Sequence, residues 1–168
     1  MNGNDEAATG GEDRRRAAIG PRASYYLAKW SEMDSKGIKR SWNWPACFVN
    51  LFWFAYRKMW LPLIVFLVAA AALGFATAGA RMDVQLLPMI ALSFVTGTYG
   101  NFLYRRHVER LVAGTAGMDE EAVLERLRKR GGTSPLALGI ALALAAAGAA
   151  ALVVQQAQQI GSAAQRPA

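Results

Sequence analysis

The sequence predicts an all-α integral membrane protein, and three observations carry that prediction. Leu61 to Ala80, Val84 to Tyr104 and Pro135 to Val154 are free of charged residues. Each is about 20 residues long, enough for a helix to cross a bilayer core. Hydrophobic residues make up 54% of a 168-residue chain, and much of the excess over a soluble domain is gathered into these segments. Charge is sorted by position. Residues 1–60 hold ten Lys/Arg against six Asp/Glu and residues 105–130 hold seven against five, while only Arg81 and Asp83 mark the turn between the first two segments. Basic residues therefore flank one end of the hairpin, which predicts that end to be cytoplasmic. The expected arrangement has a cytoplasmic N-terminus, a small outside turn, residues 105–134 inside and the C-terminus outside.

The net charge of +7 comes without zinc-finger spacing, a recognition-helix pattern or a long basic run, so nucleic acid is not an expected partner. Cys47 is the single cysteine, which excludes an intrachain disulfide and a thiolate metal cluster. The first forty residues are polar, so no cleavable signal peptide is expected and the first span would direct insertion.

Residues 1–22 combine Gly, Asn, Ala and charge without periodicity and predict a disordered cytoplasmic tail. In Ala23 to Met33 the residues Tyr26, Trp30 and Met33 share one helical face, with Lys29 and Glu32 off it. An aromatic interfacial helix is expected there. Asn43 is placed to cap the next helix and Pro45 to occupy its first turn. Pro45 to Arg57 is short for a span and reads as one interfacial or re-entrant helix, with a stripe of Phe48, Phe52, Ala55, Tyr56 and Met59. Asn50 and Arg57 form a narrow polar seam opposite, and Arg57 and Lys58 are expected to snorkel to headgroups with Trp60 as anchor.

The first span carries the smooth run Ala69 to Ala72 and Gly74, and the second holds two small-xxx-small pairs, Ser93 with Gly97 and Thr96 with Gly100. Asn101 is expected to bond across the bundle, and Arg105, Arg106 and His107 mark the cytoplasmic exit. Met118 to Arg130 predicts a short cytosolic helix, acidic at its start and basic at its end, with Glu125 four residues before Lys129. Its Val123, Leu124 and Leu127 give a narrow apolar face, and Gly131-Gly132 end it. The domain plan is thus a tail (1–22), a membrane domain with two spans (23–111), a linker helix (112–134), a third span (135–154) and a flexible tail (155–168).

Tyr25-Tyr26-Leu27 with Lys29-Trp30, then Ser41-Trp42-Asn43-Trp44-Pro45-Ala46, Phe52-Trp53 and Tyr56-Arg57-Lys58-Met59-Trp60, resemble the bacterial membrane family DUF2628. Asn101-Phe102-Leu103-Tyr104 with His107-Val108-Glu109 is similar to a later element of that family. The resemblance spans residues 23–111, and Gly131 to Ser134 fits the same pattern. Pro45 and Asn50 depart from the small residues commoner at their positions. The resemblance implies a bacterial membrane protein and no established activity.

Little in the chain points to catalysis. His107 is the single histidine, the spans contain no ionisable Asp, Glu, Lys, Arg or His, and no nucleotide loop, thiol pair or serine elbow is present. No cofactor or metal is expected. The distinctive feature is a basic and aromatic collar at one interface, whose candidate contacts for lipid headgroups or a partner are Asn50, Arg57, Lys58, Asn101, Tyr104, Arg105, Arg106 and His107. The leading expectation is a non-catalytic inner-membrane scaffold or accessory subunit whose cytoplasmic face meets anionic lipid, a membrane protein partner or another copy of the chain. The alternative is an enzyme or carrier for a lipid or lipid-linked substrate. It requires a polar cleft joining Asn50, Arg57, Asn101, Tyr104, Arg105 and His107.

Overall fold

The computed structural model describes residues 3–164, which form eight α-helices: α1 (Gly3–Ile19), α2 (Ala23–Ser35), α3 (Trp44–Phe48), α4 (Asn50–Tyr56), α5 (Trp60–Ala76), α6 (Met82–Ala113), α7 (Glu120–Arg130) and α8 (Pro135–Ala164). Two runs are long and apolar enough to cross a membrane: α6, and Glu120–Gln158, whose apolar part is α8. Their most apolar stretches are only 22% and 0% buried, where the core helix of a soluble protein would be mostly enclosed. α5 is as apolar as a span but has 17 residues, roughly 26 Å at 1.5 Å per residue against a hydrocarbon core of ~30 Å. It contains no buried residue, and Phe75 is 87% exposed.

The long α6 joins two regions. Its 32 residues extend roughly 48 Å, more than a bilayer core needs. The surplus at its C-terminal end enters a packed cap, where Asn101, Tyr104 and Val108 are buried. The core of that cap gathers Ile19 from α1, Tyr26, Trp30 and Met33 from α2, Trp53 and Phe54 from α4, and Val123 and Leu127 from α7.

Helix α3 lies against α6 at close range because both surfaces are small. A Cβ on Gly97 would stand 2.7 Å from Cys47 Cβ, and one on Gly100 would stand 2.7 Å from Ala46 Cβ. The small-residue pattern of the second apolar segment therefore serves α3. Asn43 caps α3 as expected, its Oδ1 accepting from Ala46 N at 3.0 Å.

Several expectations are corrected. The N-terminal segment expected to be a disordered tail is helix α1, whose end buries Ala18 and Ile19 and whose Arg14 pairs with Glu120 at the start of α7. Tertiary packing of its last turn outweighs the weak local propensity of the segment. The expected single helix from Pro45 to Arg57 is two, broken at Val49 (φ −125°, ψ 37°). Asn50 Oδ1 accepts from Leu51 N at 2.7 Å, a local bond that competes with helix continuation. The face of α2 predicted to lie at the interface is core instead, with Tyr26 and Trp30 buried against Tyr104. Helix α7 rests on α1 through Val123 and Leu127. The C-terminal segment expected to be flexible from residue 155 continues α8 to Ala164, and residues 165–168 lie outside those described.

Glycine closes the α1–α7 junction. Gly132 N donates to Ala18 O at 2.7 Å, and a Cβ on Gly131 would lie 2.1 Å from that same oxygen. No side chain fits between the two backbones.

Candidate functional site

The residues of the expected collar have separate tasks. Asn101 is fully buried at the centre of a polar network. Its Nδ2 donates to Ser41 Oγ (3.1 Å), Ser41 O (3.4 Å) and Trp42 O (3.3 Å), while its Oδ1 accepts from Asn43 Nδ2 (2.9 Å). Its backbone oxygen accepts from Trp30 Nε1 at 3.1 Å. Backbone bonds from Ser41 N to Thr98 O (3.0 Å) and Asn43 N to Gly97 O (2.9 Å) hold the same segment on α6. Asn101 therefore fastens the chain entering α3 to α6, and its full burial keeps it away from any external ligand. Asn50 donates to Ser93 Oγ at 3.0 Å, well along α6 from that network.

Arg105 is held by two acids, Nη1 donating to Asp34 at 2.6 Å and Nε to Glu109 at 2.8 Å. The first pair fastens the end of α2 to α6. Its hydrogen bond from Arg105 holds the Asp34 carboxyl below the usual range. On the same helix, Glu32 lies between Lys36 and Lys29, whose hydrogen bonds lower its pKa to about 2. Arg14 likewise lowers Glu120 through their hydrogen bonds. Arg106 is exposed, its guanidinium 5.9 Å from the Phe102 ring centroid. His107 stacks on Tyr104 with ring centroids 6.4 Å apart, and its Nε2 is buried without a partner.

Lys58 has a left-handed backbone (φ 55°), uncommon outside glycine, and donates from Nζ to Lys129 O at 3.0 Å. It caps the last turn of α7 with positive charge, where the helix dipole favours a cation. This left-handed turn lets the chain leave α4 and enter α5.

Arg57 departs furthest from expectation. In place of snorkelling, it is 3% exposed. Its guanidinium carbon lies 4.6 Å from the Tyr26 ring centroid, 4.9 Å from Tyr104 and 5.8 Å from Tyr56. Nη1 donates to Tyr104 Oη at 3.2 Å and reaches Ile19 O at 3.4 Å, while Nε is buried without a partner. None of the ion pairs among the described residues includes Arg57. The aromatic cage supplies a favourable quadrupole but no countercharge. The sequence signal was present in the two tyrosines and the Tyr-Arg-Lys run; their convergence was not, because it depends on α2 docking against α6.

Cavities divide along the same lines. Arg57 lines one of 190 Å³ with Arg22, Tyr26, Tyr56 and Leu138. Arg105 lines another of 430 Å³ between α1, α2 and α6, with Arg15, Arg16, Glu12 and Asp34. A third, of 300 Å³, is an apolar groove between α5 and α6 walled by Leu61, Val65, Phe66, Leu92 and Val95. Of the six residues that the enzyme or carrier alternative needs in one cleft, Arg57, Tyr104 and His107 come together, but Asn50 turns to Ser93, Asn101 to the Ser41 segment and Arg105 to a different cavity. Among the described residues, no three His, Cys, Asp or Glu side chains gather as a metal site.

No curated protein and no solved structure gives a significant match to the chain. The family model described as "Protein of unknown function (DUF2628)" matches residues 11–110, more than half of the chain. The match begins inside α1, earlier than the expected residue 23, and leaves out α7, the Gly131–Ser134 segment and α8. It takes in the whole Arg57 cage and the Asn101 network. The chain belongs to the DUF2628 family of bacterial membrane proteins, whose function is unknown.

Proposed function

We propose that the protein is a non-catalytic membrane scaffold or accessory subunit. Its apolar helices α5, α6 and α8 sit in the bacterial inner membrane, and its packed cap of α1, α2, α4 and α7 lies at the cytoplasmic face. One observation supports this reading above the others: the apolar helices are left unburied while the cap encloses a core of its own. Leu136 at the head of α8 is 75% exposed, whereas Asn101, Tyr104 and Val108 in the cap are 0–1% exposed. A chain with this division needs hydrocarbon around one half and offers a preformed, charged surface on the other.

Three crossings with the N-terminus inside follow if α5 spans despite its length. Trp60 at its start suits an interfacial ring, and local bilayer thinning accommodates a short helix at modest cost. Native mass spectrometry after gentle extraction tests the scaffold role. A reproducible heteromeric complex is the expected result; a strictly monomeric protein that also yields no crosslinked partner in membranes would contradict it.

A further inference from the structure

We propose that the cavity between Arg22 and Arg57 is a binding site for the phosphate of an anionic phospholipid headgroup. This rests on the proposed placement of the cap at the cytoplasmic face. Arg57 is a permanently charged group, 3% exposed, with its Nε unpartnered and no acid paired to it. Burying an uncompensated cation is costly, and aromatic faces offset only part of that cost. An anion in the cavity that Arg57 lines supplies the missing countercharge.

The composition of the cavity also suits an anion. Its lining holds two arginines and no carboxylate. Arg22 is exposed at the head of α2 and forms no ion pair among the described residues, unlike Arg105, which already has two acids. A phosphate between Arg22 and Arg57 thus meets two guanidinium groups that no acid among the described residues pairs with. The rest of the lining suits a lipid better than a free anion. The remaining wall is apolar, from Pro45, Val49 and Phe52 on the α3–α4 side and Leu138 on α8. Phe52 and Leu138 are part-buried and Val49 is 47% exposed, so the cavity continues onto surface suited to acyl chains. At 190 Å³ the cavity holds a headgroup phosphate and leaves the chains outside, along α8.

The test uses the full-length protein in dodecyl maltoside, titrated with dioleoyl phosphatidylglycerol and followed by native mass spectrometry. Dioleoylglycerol, which lacks the phosphate, and inorganic phosphate are titrated in parallel. The wild type is expected to take up phosphatidylglycerol at one saturable site. Arg22→Ala and Arg57→Met are each expected to weaken it about tenfold or more, the effect of losing one charge-assisted hydrogen bond. Dioleoylglycerol uptake should be weaker and indifferent to both substitutions. Inorganic phosphate competing at similar concentration would keep the anion site but move its source from lipid to free phosphate. Equal affinity for the phosphatidylglycerol in wild type and Arg22→Ala overturns the site, and so does equal affinity for the two lipids. Arg22 is exposed, so that variant keeps the test decisive even if Arg57→Met fails to fold. Loss of the site alongside an intact heteromeric complex would overturn this inference and leave the scaffold reading standing.

Discussion

Replacing Asn101 with alanine should destabilise the protein through the cap without altering any external contact. The side chain is fully buried, its two Nδ2 hydrogens shared among three oxygens of the Ser41–Trp42 segment and its Oδ1 accepting from Asn43. Truncation leaves Asn43 Nδ2 and the Ser41 and Trp42 oxygens facing a void. Each buried group left unsatisfied costs ~1–3 kcal/mol, and relaxation or water entry recovers part of it, so about 3 kcal/mol is expected. Equilibrium unfolding in micelles, followed by tryptophan fluorescence, measures it; Trp30 reports directly because it donates to the Asn101 backbone. A double-mutant cycle with Asn43→Ala should give coupling of ~0.5–3 kcal/mol. A single-variant loss below about 0.5 kcal/mol, the ordinary range for a surface substitution, together with zero coupling, would refute the fastening role of Asn101.

Two further outcomes follow from the cap. Gly131→Ala should cost at least the ~1–3 kcal/mol typical of overpacking, because its Cβ would fall 2.1 Å from Ala18 O. Hydrogen exchange should then rise in α1 and α7 together, whereas unchanged exchange there would deny the junction. Acid should loosen the same cap. Asp34 and Glu120 have pKa values lowered by Arg105 and Arg14, so their contribution is complete above the ordinary carboxylate range of ~4 and disappears as pH falls through their lower folded values. Exchange protection at the α2–α6 and α1–α7 contacts is therefore expected to decline below about pH 4 while α8 keeps its helicity; equal protection at pH 3 and 7 would contradict it.

Features governed by local chemistry were legible in the sequence. The cap at Asn43, the shared face of Tyr26, Trp30 and Met33, and the helix ended by Gly131 each depend on neighbours within a few residues. The apolar runs that become α5, α6 and α8 were visible for the same reason, although α5 stops at Ala76 because Thr77 to Ala80 turn. What a face packs against was not legible. The aromatic face of α2 reads equally well as a membrane-interface helix or as core, and only its docking on Tyr104 decides between them. Arg57 illustrates the same limit more sharply. A basic residue beside a span ordinarily snorkels, yet here three tyrosines from α2, α4 and α6 surround it. Helix α1 depends on contacts more than 100 residues away in sequence, from Arg14 to Glu120, which no local pattern conveys.

The proposed role requires α5, α6 and α8 to face hydrocarbon while the cap stands in water. Nitroxide labels at Val68 on α5, Leu142 on α8 and Glu125 on α7, placed singly in a Cys47→Ser background and reconstituted in liposomes, measure this through accessibility to oxygen and to a water-soluble nickel chelate. Val68 and Leu142 are 63% and 50% exposed in the isolated chain, and Glu125 is exposed on the cap. The first two labels should meet oxygen and exclude nickel, with Glu125 showing the reverse. Nickel reaching Val68 and Leu142 as freely as Glu125 would place those helices in water and contradict the account.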